Sequence, residues 1–318
     1  MSSKEKSIQF FKEFIDIDGH QNGMFIETVS LENPVLLFLH GGPGFPQYPV
    51  IKQSGMGWEE DFTVCYLEQR GTGMSYNAST QGDITLGQLI SDALIVTEYL
   101  KTKFKKEKIY LCGHSWGTFL GSIVVHRYPE NYHAYIGIGQ MGRHFESNKD
   151  TYEFLLETAI KKGDKKAEKD IRSVTFTEDF YKSKGYQRIL GRYLNRFGGG
   201  AKKVGYSNWQ SLKDLFSCRH YSWKERVNIP KGIFASYDAL SEAIAKSDVS
   251  LLAPKIEVPV FIIHGVDDYS TSYREAKRFY EKLDASSKKL FSFNNCAHSP
   301  FIEDPNAFRN ILQTEVLR

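Results

Sequence analysis

The pentapeptide Gly113-His114-Ser115-Trp116-Gly117 stands between two segments of different character. Residues 108–112 before it predict a buried strand, and residues 118–127 after it predict a helix. A strand that turns directly into a helix needs a sharp corner, and glycine two residues before and two residues after the serine avoids a clash of a Cβ atom with the neighbouring backbone. The pattern therefore predicts a strained serine whose hydroxyl is exposed at the carboxyl edge of a sheet.

Strand and helix patterns surround this corner on both sides. Residues 8–30 alternate apolar and polar side chains and predict an antiparallel pair, with Asp18-Gly19 and Asn22-Gly23 as turn signals. The strands and helices that follow alternate, which predicts a mostly parallel sheet with helices on both faces. The predicted strands are 35–39, 62–67, 108–112, 135–138, 260–264 and 289–294, and the predicted helices are 85–103 (starting at Asp83 or Thr85), 118–127, 272–283 and 305–317.

The alternation is interrupted in the middle of the chain. Residues 142–250 are charged, aromatic and mainly helical in pattern, and the alternation returns after them. A chain of 318 residues is long enough for one large domain with an insertion. We therefore predict a catalytic domain formed by residues 1–141 and 251–318, with residues 142–250 inserted as a helical lid.

Composition and charge exclude several classes of function. The 41 basic and 38 acidic side chains give a net charge of +3, which is too small to predict binding to nucleic acid or to an anionic membrane. The four cysteines lack metal-binding spacing and there is no phosphate-binding loop, so no metal or cofactor is predicted. Without a signal peptide or an apolar span, we expect a soluble cytoplasmic protein of undetermined oligomeric state.

A serine hydroxyl becomes an effective nucleophile when a base takes its proton and a third group orients that base. The loop after strand 260–264 supplies two acids, of which Asp268 is preferred because the usual turn is Gly-x-x-Asp; Asp267 is the alternative. His298 follows the last predicted strand, which returns the chain to the same edge of the sheet, and we predict that it is the base. His114 adjoins the serine, but we expect it to point away and to be structural.

Attack on a carbonyl group creates an oxyanion that needs hydrogen-bond donors already in place. We predict the backbone N–H of Trp116, directly after the serine, as one donor. The second donor should come from His40-Gly41-Gly42-Pro43-Gly44, which follows strand 35–39 and whose glycines allow close approach to a substrate. Within it we predict the N–H of Gly42, because Pro43 has no N–H to donate.

Three segments together resemble the proline iminopeptidase family of α/β-hydrolases. They are His40-Gly41-Gly42-Pro43-Gly44, Gly113-His114-Ser115-Trp116-Gly117-Thr118 and Glu68-Gln69-Arg70-Gly71-Thr72-Gly73-Met74-Ser75, the last with Glu68 where the family has Asp. With the loops of Asp268 and His298, the resemblance spans the whole predicted catalytic domain. It implies an α/β-hydrolase fold with a helical cap and serine acyl chemistry that removes an N-terminal residue, often proline, from small peptides.

The predicted lid departs from the family pattern. The resemblance implies lid glutamates that hold the free amine of the substrate, one after a tryptophan and one before a His-Tyr pair. Here Trp209 is followed by Gln210, and His220-Tyr221 is preceded by Cys218-Arg219, so both carboxylates are missing and the amine would lose charged partners. Other lid acids that could substitute, although each is better interpreted as a surface charge, are Glu146, Glu153, Glu178 and Glu225.

Three functional hypotheses follow for a small-molecule or short-peptide substrate. The first is an aminopeptidase of the proline iminopeptidase type. The second is an esterase or amidase with the same three catalytic groups and a neutral apolar acyl pocket. The third, a binding protein without catalysis, is disfavoured by the intact set of Ser115, Asp268 and His298.

Overall fold

The fold was examined in a computed structural model that describes residues 7–79, 84–202 and 208–318, without the side chains of Asn208 and Trp209. The strands of this described part are β1 (Gln9–Ile17), β2 (His20–Thr28), β3 (Val35–Leu39), β4 (Thr63–Leu67), β5 (Ile109–His114), β6 (Tyr132–Ile138), β7 (Lys255–Ile256), β8 (Val260–Gly265), β9 (Asp284–Ala285) and β10 (Lys288–Phe293).

Eight of these strands form one sheet in the order β1-β2-β4-β3-β5-β6-β8-β10. β1 pairs with β2, and β2 with β4, in antiparallel register, whereas every later pairing is parallel. The carboxyl ends of β3, β4, β5, β6, β8 and β10 therefore meet at one edge. β7 and β9 form a separate short parallel pair.

The helices of the described part lie between and beside these strands. They are α1 (Tyr48–Ser54), α2 (Leu86–Phe104), α3 (Trp116–Arg127), α4 (His144–Lys161), α5 (Lys165–Arg172), α6 (Lys184–Tyr193), α7 (Asn208–Ser217), α8 (Trp223–Ala245), α9 (Val249–Leu252), α10 (Tyr273–Lys282), α11 (Pro300–Glu303) and α12 (Pro305–Ile311). A π-helical turn, Leu312–Val316, continues α12.

Helices cover both faces of the sheet because its central strands are apolar on both sides. All five residues of β3 are buried. Leu37 packs in a cluster with Val96 of α2 and Ile123 of α3, whereas Phe38, which points to the opposite face, packs in a cluster with residues of α1, α11 and α12. This continuous burial is typical of parallel strands between two helical layers, and the predicted fold class is confirmed.

The segment between β6 and β8 is mainly helical. Because β6 and β8 are neighbours in the sheet, this segment leaves and re-enters the sheet at adjacent positions. It contains α4 to α9 and a hydrophobic cluster of its own, which includes Leu155, Ile171 and Tyr186. The division of the chain into a catalytic domain and a lid at residues 142–250 stays a prediction.

One predicted turn signal is wrong. Asp18-Gly19 forms the turn between β1 and β2, but Asn22-Gly23 lies inside β2, where Gly23 pairs with Phe14. A Cβ atom on Gly23 would lie 2.5 Å from the Cβ of Met74, and the N–H of Gly23 donates to Ser75 Oγ at 2.8 Å. Glycine is therefore needed here for close packing of a distant segment rather than for a turn.

The starts of the predicted helices agree closely with the structure. The side chain of Thr85 accepts a hydrogen bond from the N–H of Gln88 at the start of α2, and Ser272 accepts one from the N–H of Glu275 at the start of α10. Such caps satisfy N–H groups that have no acceptor within the first turn. Asp83, the alternative start for α2, lies outside the described residues.

Candidate active site

Ser115 occupies a strained corner between β5 and α3. Its φ and ψ angles are 55° and −122°, an unusual conformation for a residue other than glycine. A Cβ atom on Gly117 would lie 2.0 Å from the backbone oxygen of Leu39, and one on Gly113 would lie 2.3 Å from the oxygen of Gly117. The two glycines thus allow a corner that other residues would block. The N–H of Ser115 donates to the oxygen of Ile138 at 2.9 Å, which fixes the serine against the end of β6.

The buried Asp268 and the partly exposed His298 form a hydrogen-bonded pair near this corner. The Nδ1 atom of His298 lies 2.9 Å from Oδ2 of Asp268, whose residue is 1% exposed. The other carboxylate oxygen accepts hydrogen bonds from the N–H groups of Ser270 at 2.8 Å and Thr271 at 3.0 Å. With its two oxygens held, Asp268 can fix the orientation of the imidazole, and His298 then presents Nε2 for proton transfer.

The Asp268 carboxylate stays charged although it is buried. Burial by itself would raise its pKa, but His298 and His264 outweigh that effect and hold the pKa of Asp268 well below its usual range. His264, which ends β8 together with Gly265, places Nε2 at 3.1 Å from Oδ2 of Asp268. Its Nδ1 accepts the N–H of Gln140 at 3.0 Å, so the proton of a neutral ring is on Nε2.

The neighbouring acid, Asp267, is placed differently. Its side chain is 37% exposed and forms an ion pair with Lys202. The structure therefore brings Asp268, and not Asp267, to His298.

A chain of hydrogen bonds connects the glycine-rich loop after β3 to the loop that carries His298. The N–H of Gly41 donates to Oε1 of Gln47 at 2.9 Å, so the amide nitrogen of Gln47 faces Nδ1 of His114 at 2.5 Å. Nε2 of His114 then carries the proton and lies 3.0 Å from the backbone oxygen of His298. Burial lowers the pKa of His114 to about 3, so its ring is neutral at pH 7. The ring of His114 thus contacts Gln47 and the backbone of His298, and its structural role stays a prediction.

The residues predicted to supply oxyanion donors lie on either side of Ser115. A Cβ atom on Gly41 would lie 3.1 Å from the Cβ of Ser115, so the loop passes directly beside the serine. Gly42 has a φ of 118°, and a Cβ there would lie 2.7 Å from the N atom of Phe45. Trp116 is the first residue of α3, where a backbone N–H has no acceptor within the helix. Gly42, Ser115 and Trp116 line the same cavity.

This cavity has a volume of about 230 Å³ and lies between the sheet edge and the helices of residues 142–250. Its far wall includes Phe180, Leu190 and Tyr237. Among the described residues that line it, none is Asp, Glu, Lys or Arg. Burial lowers the pKa of His144, on the same wall, to about 4, so this side chain is also neutral at pH 7. Thr271 lines the cavity too, and its Oγ1 lies 2.9 Å from Oδ2 of Asp268, so the Asp268–His298 pair adjoins the cavity.

Of the predicted substrate-contacting lid residues, the four whose side chains are described do not line this cavity; they are Gln210, Cys218, His220 and Tyr221. Nε2 of Gln210 donates to Asp214 on its own helix, α7, at 2.8 Å. The ring of His220 packs on Phe10 of β1, with ring centroids 4.0 Å apart. Cys218 is partly buried beside them, and Tyr221 is buried and donates to the carboxyl group of Glu68. Trp209 lies in α7, but its side chain is outside the described part of the structure.

The acidic lid residues considered as substitutes do not line the cavity either. Glu225 pairs with Lys12 at 2.7 Å and closes the N-terminal cap of α8. Glu178 is exposed, Glu146 lies 3.9 Å from Arg274, and Glu153 lines a separate surface cavity. These positions agree with surface charges for Glu146, Glu153 and Glu178, whereas the side chain of Glu225 is only 13% exposed and forms a partly buried ion pair.

Several residues of the site were not expected from the sequence. Gln47 and Thr271 belong to none of the sequence motifs. Their contacts with the site form only in the folded chain. His264 directly precedes the loop of Asp268, and Gln69 lies within the Glu68 to Ser75 motif. Their positions in the sequence could therefore have identified them as residues near the site. Gln69 bonds both to the glycine-rich loop and to Trp116.

Two further findings concern the described residues as a whole. No group of three or more His, Cys, Asp or Glu side chains within them is arranged to hold a metal ion. Across the same ranges, no helix combines the length and apolar composition needed to cross a membrane.

Comparison with known proteins gives concordant results. The family model described as alpha/beta hydrolase fold matches residues 34–305. A protein named probable aminopeptidase YbaC, from Bacillus subtilis (strain 168), is 31% identical over 98% of this chain and 98% of its own length. A proline iminopeptidase of Lactobacillus helveticus is 22% identical over 93% of this chain and 94% of its own length.

Solved structures share the fold at lower identity. The proline iminopeptidase-related protein of Thermus thermophilus has a TM-score of 0.67 at 18% identity, over 96% of this chain and 96% of its own. The proline iminopeptidase of Mycobacterium smegmatis has a TM-score of 0.68 at 16% identity, over 95% of this chain and 96% of its own. The resemblance seen in the motifs is thereby confirmed, and the chain belongs to the α/β-hydrolase family.

Proposed function

We propose that this protein is a serine-type hydrolase that cleaves an amide or ester bond of a small substrate. The observation that carries the proposal is the hydrogen bond of 2.9 Å between His298 and the buried carboxylate of Asp268, on the sheet edge that also holds the strained Ser115. A neutral histidine oriented by a buried carboxylate is the base that a serine nucleophile needs.

In the proposed reaction, Ser115 Oγ attacks the acyl carbon while His298 Nε2 takes the hydroxyl proton. The carbonyl oxygen becomes an oxyanion, which accepts hydrogen bonds from the N–H groups of Gly42 and Trp116. His298 then gives its proton to the leaving amine or alcohol, and the C–N or C–O bond breaks. A water molecule, deprotonated by His298, hydrolyses the acyl-enzyme and regenerates Ser115.

The first substrate class is a short peptide from which the N-terminal residue is released. It is supported by the relative named as a probable aminopeptidase and by those named as proline iminopeptidases. A cavity of about 230 Å³ is suited to one small residue in the acyl position.

A second class, neutral esters and amides, is favoured by a specific observation. A protonated N-terminal amine is expected to bind near a carboxylate, because desolvating an unpaired ammonium group is costly. No carboxylate is among the described residues that line the cavity. A substrate with an uncharged acyl group does not need a carboxylate in the cavity.

The test compares three substrates: a proline arylamide with a free amine, the same compound N-acetylated, and a short-chain aryl ester. Ser115→Ala serves as the blank, and kcat/KM is measured for each. We expect Ser115→Ala to lose nearly all turnover while its circular dichroism spectrum stays that of the wild type. Turnover equal to that of the wild type would contradict the serine mechanism.

The relative rates distinguish the substrate classes. A preference of tenfold or more, about 1.4 kcal/mol, for the free amine over the acetylated arylamide would support an aminopeptidase. Cleavage of the ester together with indifference to the amine would support an esterase or amidase with a neutral acyl pocket.

A further inference from the structure

Gln69 is buried between the two segments that carry the proposed oxyanion donors. Its Nε2 atom donates to the backbone oxygen of His40 at 2.9 Å, and its Oε1 atom accepts the indole N–H of Trp116 at 2.9 Å. His40 precedes the Gly41-Gly42 pair by one residue, and Trp116 follows the serine. We infer that Gln69 is a positioning residue that holds the N–H groups of Gly42 and Trp116 at a fixed separation for the oxyanion, an inference that rests on the proposed function.

The orientation of the Gln69 amide follows from the chemistry of its partners. An indole N–H can only donate and a backbone oxygen can only accept, so Oε1 must face Trp116 and Nε2 must face His40. A carboxylate, which has only acceptors, cannot donate to His40, and an ammonium group, which has only donors, cannot accept from Trp116. The Gln69 bridge, defined as these two hydrogen bonds, therefore requires an amide of this length.

The backbone of Gln69 makes a third contact with the same loop. Its N–H donates to Nε2 of His40 at 3.0 Å, and Nδ1 of His40 lies 2.9 Å from the oxygen of Gly41. Burial lowers the pKa of His40 to about 4, so the ring is neutral and its one proton is on Nδ1. The ring thus accepts a hydrogen bond from the N–H of Gln69 and donates one to the oxygen of Gly41. These contacts connect Gln69 to the residue directly before Gly42.

Both neighbours of Gln69 hold it in place. Arg70 forms two hydrogen bonds with the carboxylate of Asp92, at 2.8 Å and 2.9 Å, and both side chains are buried. On the other side, Glu68 accepts the N–H of Met74 at 2.6 Å. Gln69 itself is 4% exposed and does not line the cavity, so it acts through His40 and Trp116 rather than on the substrate.

A role in positioning has a kinetic signature. Oxyanion donors contribute to catalysis only when they match the transition state, and a displacement of about 0.5 Å already matters. Replacement of Gln69 should therefore lower kcat and leave KM nearly unchanged, because Gln69 does not line the cavity and its loss leaves the lining residues in place. Replacement of a residue needed only for folding would lower the amount of folded protein, but the protein that folds would keep the kcat of the wild type.

The experiment uses the full chain and three variants: Gln69→Leu, Trp116→Phe and the double variant. Gln69→Leu removes both bonds at similar volume, and Trp116→Phe removes the indole N–H with a smaller risk to folding. On the aryl ester we expect kcat to fall about 10- to 100-fold for Gln69→Leu, a fraction of what loss of a whole donor causes. KM should stay within about threefold of the wild-type value. The double variant should have the same kcat as Gln69→Leu, because Gln69→Leu already removes the hydrogen bond that Trp116→Phe removes.

Phenylboronic acid gives an independent readout, since it forms a tetrahedral adduct with an active serine. Its inhibition constant should rise by the same factor by which kcat/KM falls in each Gln69 variant. Gln313→Ala is the control for removal of a glutamine amide, because Gln313 is exposed and bonds only to Asp61 on the surface. It should have wild-type kinetics and inhibition.

The outcomes separate this inference from the proposed function. If Ser115→Ala is inactive and folded Gln69→Leu or Trp116→Phe keeps kcat within twofold of the wild type, the serine mechanism stands and the role of Gln69 is overturned. Additive losses in the double variant, or a change confined to KM, would also overturn it. If Ser115→Ala is as active as the wild type, both proposals fail.

Discussion

The Nε2 atom of His114 lies 3.0 Å from the backbone oxygen of His298, so the residue before the serine holds the loop that carries the proposed base. The same ring contacts Gln47 through Nδ1 at 2.5 Å. Neither contact involves a net charge, because burial keeps His114 neutral at pH 7. The segment of the proposed nucleophile and the loop of the proposed base are therefore connected through the side chain of His114.

Replacement of His114 by leucine should destabilise the protein and lower its activity. The variant removes the hydrogen bonds that His114 makes with the amide nitrogen of Gln47 and the backbone oxygen of His298, which we expect to cost about 2–4 kcal/mol in the free energy of unfolding. Urea unfolding measures this loss. His126→Leu is the control, because its ring also contacts a backbone oxygen, that of Lys255 at 2.6 Å, but at the surface; it should change stability by less than about 0.5 kcal/mol. Equal effects of the two variants would contradict the proposed role of His114.

The two neighbouring acids should differ sharply in their effect on turnover. Asp268→Asn should lower kcat by about 10⁴-fold, as expected when the carboxylate that orients the histidine is lost. Asp267→Asn breaks only a surface ion pair with Lys202 and should stay within about threefold of the wild type. Steady-state kinetics on the best of the three substrates measures both. A stronger loss in Asp267→Asn would exchange the roles assigned to the two residues.

The glycine at the corner should not tolerate a methyl group. Gly117→Ala places a Cβ atom 2.0 Å from the backbone oxygen of Leu39, and we expect a loss of more than about 4 kcal/mol or failure to fold. Gly191, in α6, has no atom within 4 Å of an added Cβ, so Gly191→Ala should instead raise stability by about 0.5–1 kcal/mol. Thermal unfolding of both variants measures the difference. A stable Gly117→Ala protein would require a different backbone at Ser115.

The stability of the protein should depend on pH through Glu68. Burial raises the pKa of Glu68 to about 8, although hydrogen bonds from Tyr221 and Met74 oppose the shift, and the ordinary value is 4.5. Between these pH values the folded chain keeps a proton that the unfolded chain releases, so this group's contribution to the free energy of unfolding falls as pH rises from about 4.5 to about 8.

Glu68→Gln removes this titration and provides the test. The melting temperature of the variant minus that of the wild type should increase steadily between pH 5 and pH 8, whatever its sign at pH 5. Buried histidines such as His40 and His114 titrate alike in both proteins, so their effects cancel in the difference. A difference that is constant over this range would show that Glu68 titrates at its ordinary pKa.

Much of the sheet edge could be predicted because it is built from local patterns. Ser115 and Asp268 each follow a strand that is almost entirely buried, whereas His298 follows β10, which is partly exposed and begins with two lysines. Because these strands are parallel, their carboxyl ends lie together at one edge of the sheet. The preference for Asp268 over Asp267 rested on one position in a turn, and the contact with His298 agrees with it.

The features that could not be predicted from the sequence depend on contacts between segments that are distant along the chain. Gly23 was mistaken for a turn residue because the reason for it, the side chain of Met74, lies about fifty positions away along the chain. His220 was expected in the substrate pocket, but its ring packs on Phe10 near the other end of the sequence. No periodicity in either segment carries information about such a partner, so pattern reasoning alone does not reach these positions.

The cavity has walls of two origins. One wall comes from the sheet edge and includes Gly42, Ser115 and Trp116. Buried Gln47 accepts the N–H of Gly41, and buried Gln69 accepts the indole N–H of Trp116. The other wall includes Leu190 and Leu194 from the helical segment, which has a hydrophobic cluster of its own. Enlarging or reducing either leucine would reshape the space offered to a molecule without breaking a hydrogen bond around the serine. Under the proposed function, the residues that would select a substrate can thus change through mutation while those proposed to break its bond remain constant, which makes this chain a suitable starting point for evolving new substrate preferences.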